Sequence, residues 1–262
     1  MDERDADPAN HNAGPALVAA ASSDSVKSRR YRRDAQPLLP TSVRRPAAVV
    51  LGCAALILAS GTVCVHEEYA DPLDRRVDLW ATAHLGGHGR ALQLIADLGQ
   101  KYQVIVIISI MFLICLVTRR ANGAVLAATG TPAAAVLTEK VFKPLVSHLY
   151  IYASYPSGHT SSAFAMVTTT TVLLASAPGL SSKRAWPALR TAIVATAVLV
   201  GCAIAVAVTG LGYHRFIDAV GGAAAGIAVV LTGTFILDLP VSRRILSLHR
   251  WRERLTIRTS SG

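Results

Sequence analysis

Thr191-Ala-Ile-Val-Ala-Thr-Ala-Val-Leu-Val-Gly-Cys-Ala-Ile-Ala-Val-Ala-Val-Thr-Gly-Leu-Gly212 contains no charged residue. In helical form about 18–20 such residues cross the hydrocarbon core of a bilayer. Similar uncharged runs occupy Ala47–Val65, Tyr102–Thr118, Ala121–Thr138, Thr160–Ala177 and Ala219–Leu237. The expected fold is therefore all-α, a polytopic membrane bundle with six transmembrane helices. Small residues recur in these runs, as in Ala219-Val-Gly-Gly-Ala-Ala-Ala-Gly226, where Gly222 and Gly226 share a face. Such faces let helix backbones approach closely in lipid, where hydrophobicity gives helices no reason to associate.

The composition agrees with a membrane protein. Of 262 residues, 52% are hydrophobic and 16% charged, and the mean hydropathy is +0.42; soluble domains carry roughly 25% charged residues. The net charge of +10 sits in clusters between the apolar runs rather than on one folded face, which argues against a nucleic-acid partner. Cations gather before Ala47, at Arg119 and Arg120, at Lys183, Arg184 and Arg190, and after Leu237. All four segments fall on one side of a six-span topology. The positive-inside rule then places both termini in the cytoplasm and the intervening loops outside, in a multi-pass cell-membrane protein. Three regions follow: a disordered basic cytoplasmic tail over 1–45, a membrane domain over 46–238, and a basic cytoplasmic tail over 239–262. Acidic residues Glu67, Glu68, Asp71, Asp74, Asp78 and Asp97 mark the first outer segment. Within it, Leu79–Gln100 reads as an amphipathic surface helix. Cys53, Cys64, Cys115 and Cys202 lie in apolar runs with no short Cys-x-x-Cys spacing, so they form neither a zinc site nor a disulfide framework.

Two outer loops carry chemistry. The first runs from Glu139 through Lys143, His148 and Tyr155-Pro-Ser-Gly-His159 before the chain re-enters the membrane. Pro156 stops a preceding helix and Thr160, Ser161 and Ser162 suit a first turn, so His159 stands at a helix N-terminus, a place that attracts phosphate. The second loop, Gly210-Leu-Gly-Tyr-His-Arg-Phe-Ile-Asp218, sets His214 and Asp218 four apart on one helix face. A carboxylate one turn away accepts the imidazole Nδ1–H and leaves Nε2 as a lone pair, which a nucleophilic histidine requires. Two histidines, a carboxylate and a lysine thus converge on one face of the membrane. Zinc is the competing use of His, His and Asp, but an i, i+4 His–Asp pair lacks the spacing of the familiar zinc motifs.

Lys143 with Pro144-Leu-Val, then Tyr155-Pro-Ser-Gly-His159, then His214-x3-Asp218 resembles the type 2 phosphatidic acid phosphatase superfamily, membrane relatives of the vanadium haloperoxidases. The resemblance covers the six runs and excludes both tails. It implies metal-independent removal of phosphate from a lipid phosphate or diphosphate, with no cofactor. In that pattern His214 is the nucleophile that becomes phosphohistidine, Asp218 orients it, and His159 protonates the leaving oxygen. Lys143 and the backbone at Ser157 and Gly158 hold the phosphate. Phosphoryl transfer needs such positioning and charge stabilisation above all.

Two family arginines are missing. Tyr150 and Ile151 stand where the pattern has Arg-Pro, and Ala207 and Val208 where it has Ser-Arg. Charge-assisted contacts contribute about 1.5–3 kcal/mol each, so the departure raises an alternative: a catalytically impaired member that binds or transports lipid phosphates. His148 is the best-placed substitute phosphate ligand, followed by Arg215 and Lys140. Glu139, four before Lys143, is positioned to pair with it and weaken its hold on phosphate. Restoring Val208→Arg is expected to raise activity if the enzyme is merely impaired. The partners are membrane lipids and a lipid phosphate; the Gly-rich faces suit packing within or between subunits equally.

Overall fold

The computed structural model describes residues 37–65, 72–149, 154–177 and 185–239. The basic tails, apart from residues 37–45 and 239, therefore lie outside the described residues, as do Glu67, Glu68, Asp71, Tyr150 and Ile151 and the side chain of His148. Among the described residues every regular element is helical. The helices are α1 (Thr41–Cys64), α2 (Pro72–Leu85), α3 (Gly89–Asp97), α4 (Lys101–Val117), α5 (Ala121–Leu137), α6 (Lys143–Leu149), α7 (Gly158–Ala175), α8 (Ala185–Gly210) and α9 (Phe216–Leu237). A 3-10 turn, Gly86–His88, separates α2 from α3, and a π turn, Thr138–Phe142, joins α5 to α6.

Four stretches are long and apolar enough to cross a membrane: Thr41–Cys64, Pro72–Val117, Trp186–Gly210 and Phe216–Leu237. The expected spans at Ala121–Thr138 and Thr160–Ala177 correspond to α5 and α7, which are not among them. The physical reason is visible in their polarity and length. Helix α5 ends after 17 residues at the π turn. Helix α7 carries Thr160, Ser161, Ser162, Thr168 and Thr169, all buried, and so turns hydroxyls toward other helices rather than toward lipid. Thr168 Oγ1 donates to Phe164 O at 2.7 Å and Ser161 Oγ lies 2.9 Å from Thr138 Oγ1, which satisfies these two α7 hydroxyls inside the bundle.

Helices α7 and α9 form the centre, with α1, α5 and α8 packed around them and α4 on the outside of α5. Two glycines on α9 allow the central contact. A Cβ on Gly226 would overlap Ser161 O and come within 2.8 Å of Ala165 N; one on Gly222 would overlap Ser157 O. The sequence-level reading of these two positions as a close-packing face fits this geometry. Tyr155, fully buried, lies between Gly61 of α1 and Gly221 of α9, and its hydroxyl donates to Leu58 O at 2.9 Å.

Several boundaries differ from the sequence reading. Helix α1 begins at Thr41 rather than Ala47, and Leu38 and Leu39 just before it are buried. Their N–H groups donate to Asp238 Oδ1 and Oδ2 at 2.8 and 2.9 Å, with Arg44 3.6 Å from the same carboxylate. This tie across the chain orders a segment that local composition marks as tail. The amphipathic segment expected as one helix over Leu79–Gln100 is two, α2 and α3. Gly86 and Gly87 interrupt it, because glycine keeps little helical preference.

Candidate active site

Helix α7 begins two residues after Pro156. Ser157 is its N-cap, and Ser157 Oγ accepts from Thr160 N–H at 3.5 Å and from Thr160 Oγ1 at 3.3 Å. Ser157 N–H donates to Asp218 O at 2.9 Å, a bond that ties the first loop to the second across some sixty residues of chain. That donor is therefore committed to structure, contrary to its expected place in the phosphate cradle. Gly158 and His159, the first two residues of α7, remain as helix-start donors without a partner in their own helix.

The second loop turns tightly. Tyr213 and His214 N–H groups donate to Val208 O at 3.0 and 3.3 Å, and Gly212 adopts φ +69°, a left-handed conformation that glycine takes without strain. The turn delivers His214 opposite His159. Their ring centroids are 6.4 Å apart at an interplanar angle of 61°. Behind His214, Asp218 is fully buried, with Oδ2 3.5 Å from His214 Nδ1 and 3.0 Å from Arg215 N–H, which donates to it. The imidazole–carboxylate distance is longer than the usual hydrogen bond.

Lys143 arrives by way of the π turn. Its Nζ is 2.6 Å from Glu139 Oε1, and Glu139 Oε1 also lies against Gly158, so close that a Cβ there would overlap it. A carboxylate thus occupies the ground between the lysine and the start of α7. One cavity of about 550 Å³ is lined by Glu139, Lys143, Gly158, His159 and His214, and continues along Val104, Ile105 and Ile108 of α4 and Pro132, Ala135 and Val136 of α5. Ile105 and Val136 are also exposed on the bundle surface, so the polar end of the cavity is continuous with an apolar face that lipid would cover.

The structure brings together His159, His214, Lys143 and Gly158 around that cavity, with Asp218 and Ser157 directly behind. Arg215 and Lys140 do not line it; the Arg215 charge acts on Asp74 and Asp78 instead. Lys101 and Gln100, at the start of α4, do line it. Sequence reasoning passed over both, since a lysine at the edge of an apolar run looks like an ordinary boundary residue. Val208, counted as the place of a family arginine, is fully buried in a cluster with Leu92, Ala96 and Ala207. An arginine there would place a charge in the packing between α3 and α8, a cost that the expected gain in activity has to overcome.

Asp74 and Asp78 of α2 were also missed as site residues. Asp74 Oδ1 accepts Ile217 N–H at 2.8 Å and Asp78 Oδ1 accepts Phe216 N–H at 2.9 Å. Burial pushes both carboxyls above the usual range, and the Asp218 charge adds to this; the backbone hydrogen bonds and Arg215 pull the other way. No cluster of three or more metal-ligating side chains occurs among the described residues.

The PAP2 superfamily model matches residues 102–238. The chain belongs to the PAP2 superfamily. That match begins in α4 and ends just past α9, enclosing both histidine loops. A PAP2-type phosphatidylglycerolphosphate phosphatase from Bacillus subtilis, a transmembrane protein of known crystal structure, shares the fold at a TM-score of 0.59. Its identity to this chain is 16%, over 71% of this chain and 94% of that one. No curated protein sequence matches the chain. As a PAP2 member with four stretches long and apolar enough to cross a membrane among its described residues, it is a multi-pass membrane protein.

Proposed function

We propose that the protein is an integral membrane phosphatase that hydrolyses a lipid phosphate or diphosphate through a phosphohistidine intermediate. The observation that carries this reading is the pair of imidazoles, 6.4 Å apart, facing one cavity beside Lys143. His214 Nε2 attacks phosphorus, the bond to the lipid oxygen breaks, and His159 gives its proton to that oxygen. Water then attacks the phosphorus, its proton passing to the now neutral His159, the P–N bond to His214 breaks and inorganic phosphate leaves. Asp218 orients His214 and offsets the charge that forms on it. The two rings start in opposite protonation states, so a bell-shaped pH–rate profile is expected.

The apolar extension of the cavity between α4 and α5 supports an amphiphilic substrate whose tail stays in lipid. Phosphatidate, phosphatidylglycerol phosphate, polyprenyl diphosphate and polyprenyl phosphate-sugar all meet that description. In this reading α1, α4, α5, α7, α8 and α9 cross the bilayer, giving six spans with both termini cytoplasmic. The histidines then lie at the extracytoplasmic face, at headgroup depth. The distribution of Lys and Arg supports this orientation. The chemistry requires no metal.

The test is phosphate release by the purified protein, with chelator present, from a panel of those lipids. Wild type is expected to turn over at least one of them, and His214→Ala to lose about 10³-fold or more. Undiminished turnover by His214→Ala ends the phosphohistidine assignment. The Glu139–Lys143 contact favours a second reading, an impaired member that binds or transports lipid phosphates. Saturable binding of those lipids without hydrolysis would select it.

A further inference from the structure

The turn that bears His214 is held by a part of the chain outside the family match. Helix α9 begins at Phe216, and the first N–H groups of any helix lack a carbonyl within it. Here each has an acceptor. Asp218 Oδ2 takes Arg215 N–H at 3.0 Å, and Arg215 O takes Asp218 N–H at 3.1 Å. The two groups between them, Phe216 N–H and Ile217 N–H, donate to Asp78 and Asp74 of α2, 138 and 143 residues away. Asp74 and Asp78 are one helical turn apart and so present two acceptors from one face, spaced to meet consecutive donors. Asp74 is 5% exposed. Burying Asp74 this close to Asp218, with Asp78 half-buried beside it, is unfavourable, and mere packing of α2 would be served better by apolar side chains.

We infer that Asp74 and Asp78 are positioning residues for His214, through which α2 fixes the first turn of α9 and the angle at which the His214–Asp218 pair faces His159. The inference rests on the reading of His214 as nucleophile. The two clamped residues lie between His214 and Asp218 in sequence, so any tilt of this turn changes the Nδ1–Oδ2 separation of 3.5 Å directly. Asp218 O is also the acceptor for Ser157 N–H, so the same turn carries the register between the two loops. The holding element is an acceptor oxygen. An asparagine carboxamide would provide it without the charge.

The experiment compares the full-length Asp74→Ala/Asp78→Ala and Asp74→Asn/Asp78→Asn proteins with wild type in lipid nanodiscs. Three quantities are read: amide hydrogen exchange at Phe216 and Ile217, the tautomer of His214 from its ring ¹⁵N shifts, and kcat and KM for lipid phosphate release. The double alanine variant is expected to lose about tenfold or more of the protection at those two amides and to mix the His214 tautomers. Its kcat is expected to fall roughly 10- to 100-fold with KM little changed. The double asparagine variant is expected to restore all three. Unchanged exchange and tautomer in the alanine variant would overturn the inference, as would an asparagine variant equally impaired, or lost protection with kcat intact. If the double alanine variant does not fold, Asp78→Ala alone, at the more exposed end of the clamp, is read in the same way. Should wild type release no phosphate, the phosphatase reading falls, while exchange and tautomer still decide whether the clamp sets the histidine.

Discussion

The two ends of α9 are both tied down by carboxylates, yet in opposite senses. At its start, aspartates from α2 take hydrogen bonds from α9's own backbone; at its end, Asp238 takes them from Leu38 and Leu39 of another segment. The far end is closed, with Leu38 and Leu39 2% and 3% exposed and joined to a core of Leu126, Val172, Val230 and Leu231. The histidine end holds a cavity and an imidazole–carboxylate distance still open at 3.5 Å. One end anchors the bundle, and the other lines a cavity.

The sharpest way to break that contrast is to separate the helices between the two ends. Gly226→Ala would drive a Cβ into Ser161 O, and backbone cannot step aside as a flexible side chain would. The expected result is loss of about 3 kcal/mol or more of stability, or failure to accumulate in the membrane, checked by thermal unfolding in detergent. Asp238→Ala comes next. It removes the acceptor for two buried N–H groups and the partner of Arg44, and is expected to lower stability by about 3 kcal/mol, with phosphate release per folded molecule unchanged. A fall in that specific activity with no change in unfolding temperature would contradict the division between anchoring and working ends.

The pH dependence sharpens the comparison further. Asp74 and Asp78 have folded-state pKa values raised above their unfolded ones, so the folded chain binds their protons more tightly. Their contribution to stability is fully present below the unfolded carboxyl pKa, near 4, and is lost as pH rises through the raised folded values. Charging these two groups therefore opposes folding even while their oxygens hold α9. Asp74→Asn is expected to keep or raise stability at pH 7 and to flatten the dependence above pH 4, measured by unfolding at a series of pH values. A steeper dependence would reverse the sign of this account. The smallest effect is expected at Glu139. Glu139→Gln frees Lys143 from a full negative charge, and KM for the lipid phosphate should fall about two- to fivefold, since a partly exposed ion pair is worth about 0–1 kcal/mol. An unchanged or higher KM would show that the carboxylate does not compete with phosphate.

Much of the site was legible because its residues sit in two short stretches with distinctive chemistry. Pro156, Gly158 and His159 mark a helix start by their backbone limits, and His214 and Asp218 mark a shared helix face by their spacing. Lys101, Asp74 and Asp78 were not legible. A lysine beside an apolar run and acids in a polar segment have the same local appearance whether they face water or a partner helix. The membrane runs were clear where apolar side chains face lipid, as in α8, and less so in α7, whose buried hydroxyls blur the contrast between span and loop.

Sequence alone determined that this chain is helical, apolar and equipped with two imidazoles, a lysine and a carboxylate in motifs of the PAP2 type, because those properties are set by side-chain chemistry and short-range spacing. Tertiary structure alone decided that Ser157 N–H goes to Asp218 O and that Glu139 Oε1 lies against Gly158. It also decided that Val208 is sealed into a core and that α2 caps the helix behind His214. Each of these is a contact between residues held together only by packing of the whole bundle, which no local pattern encodes.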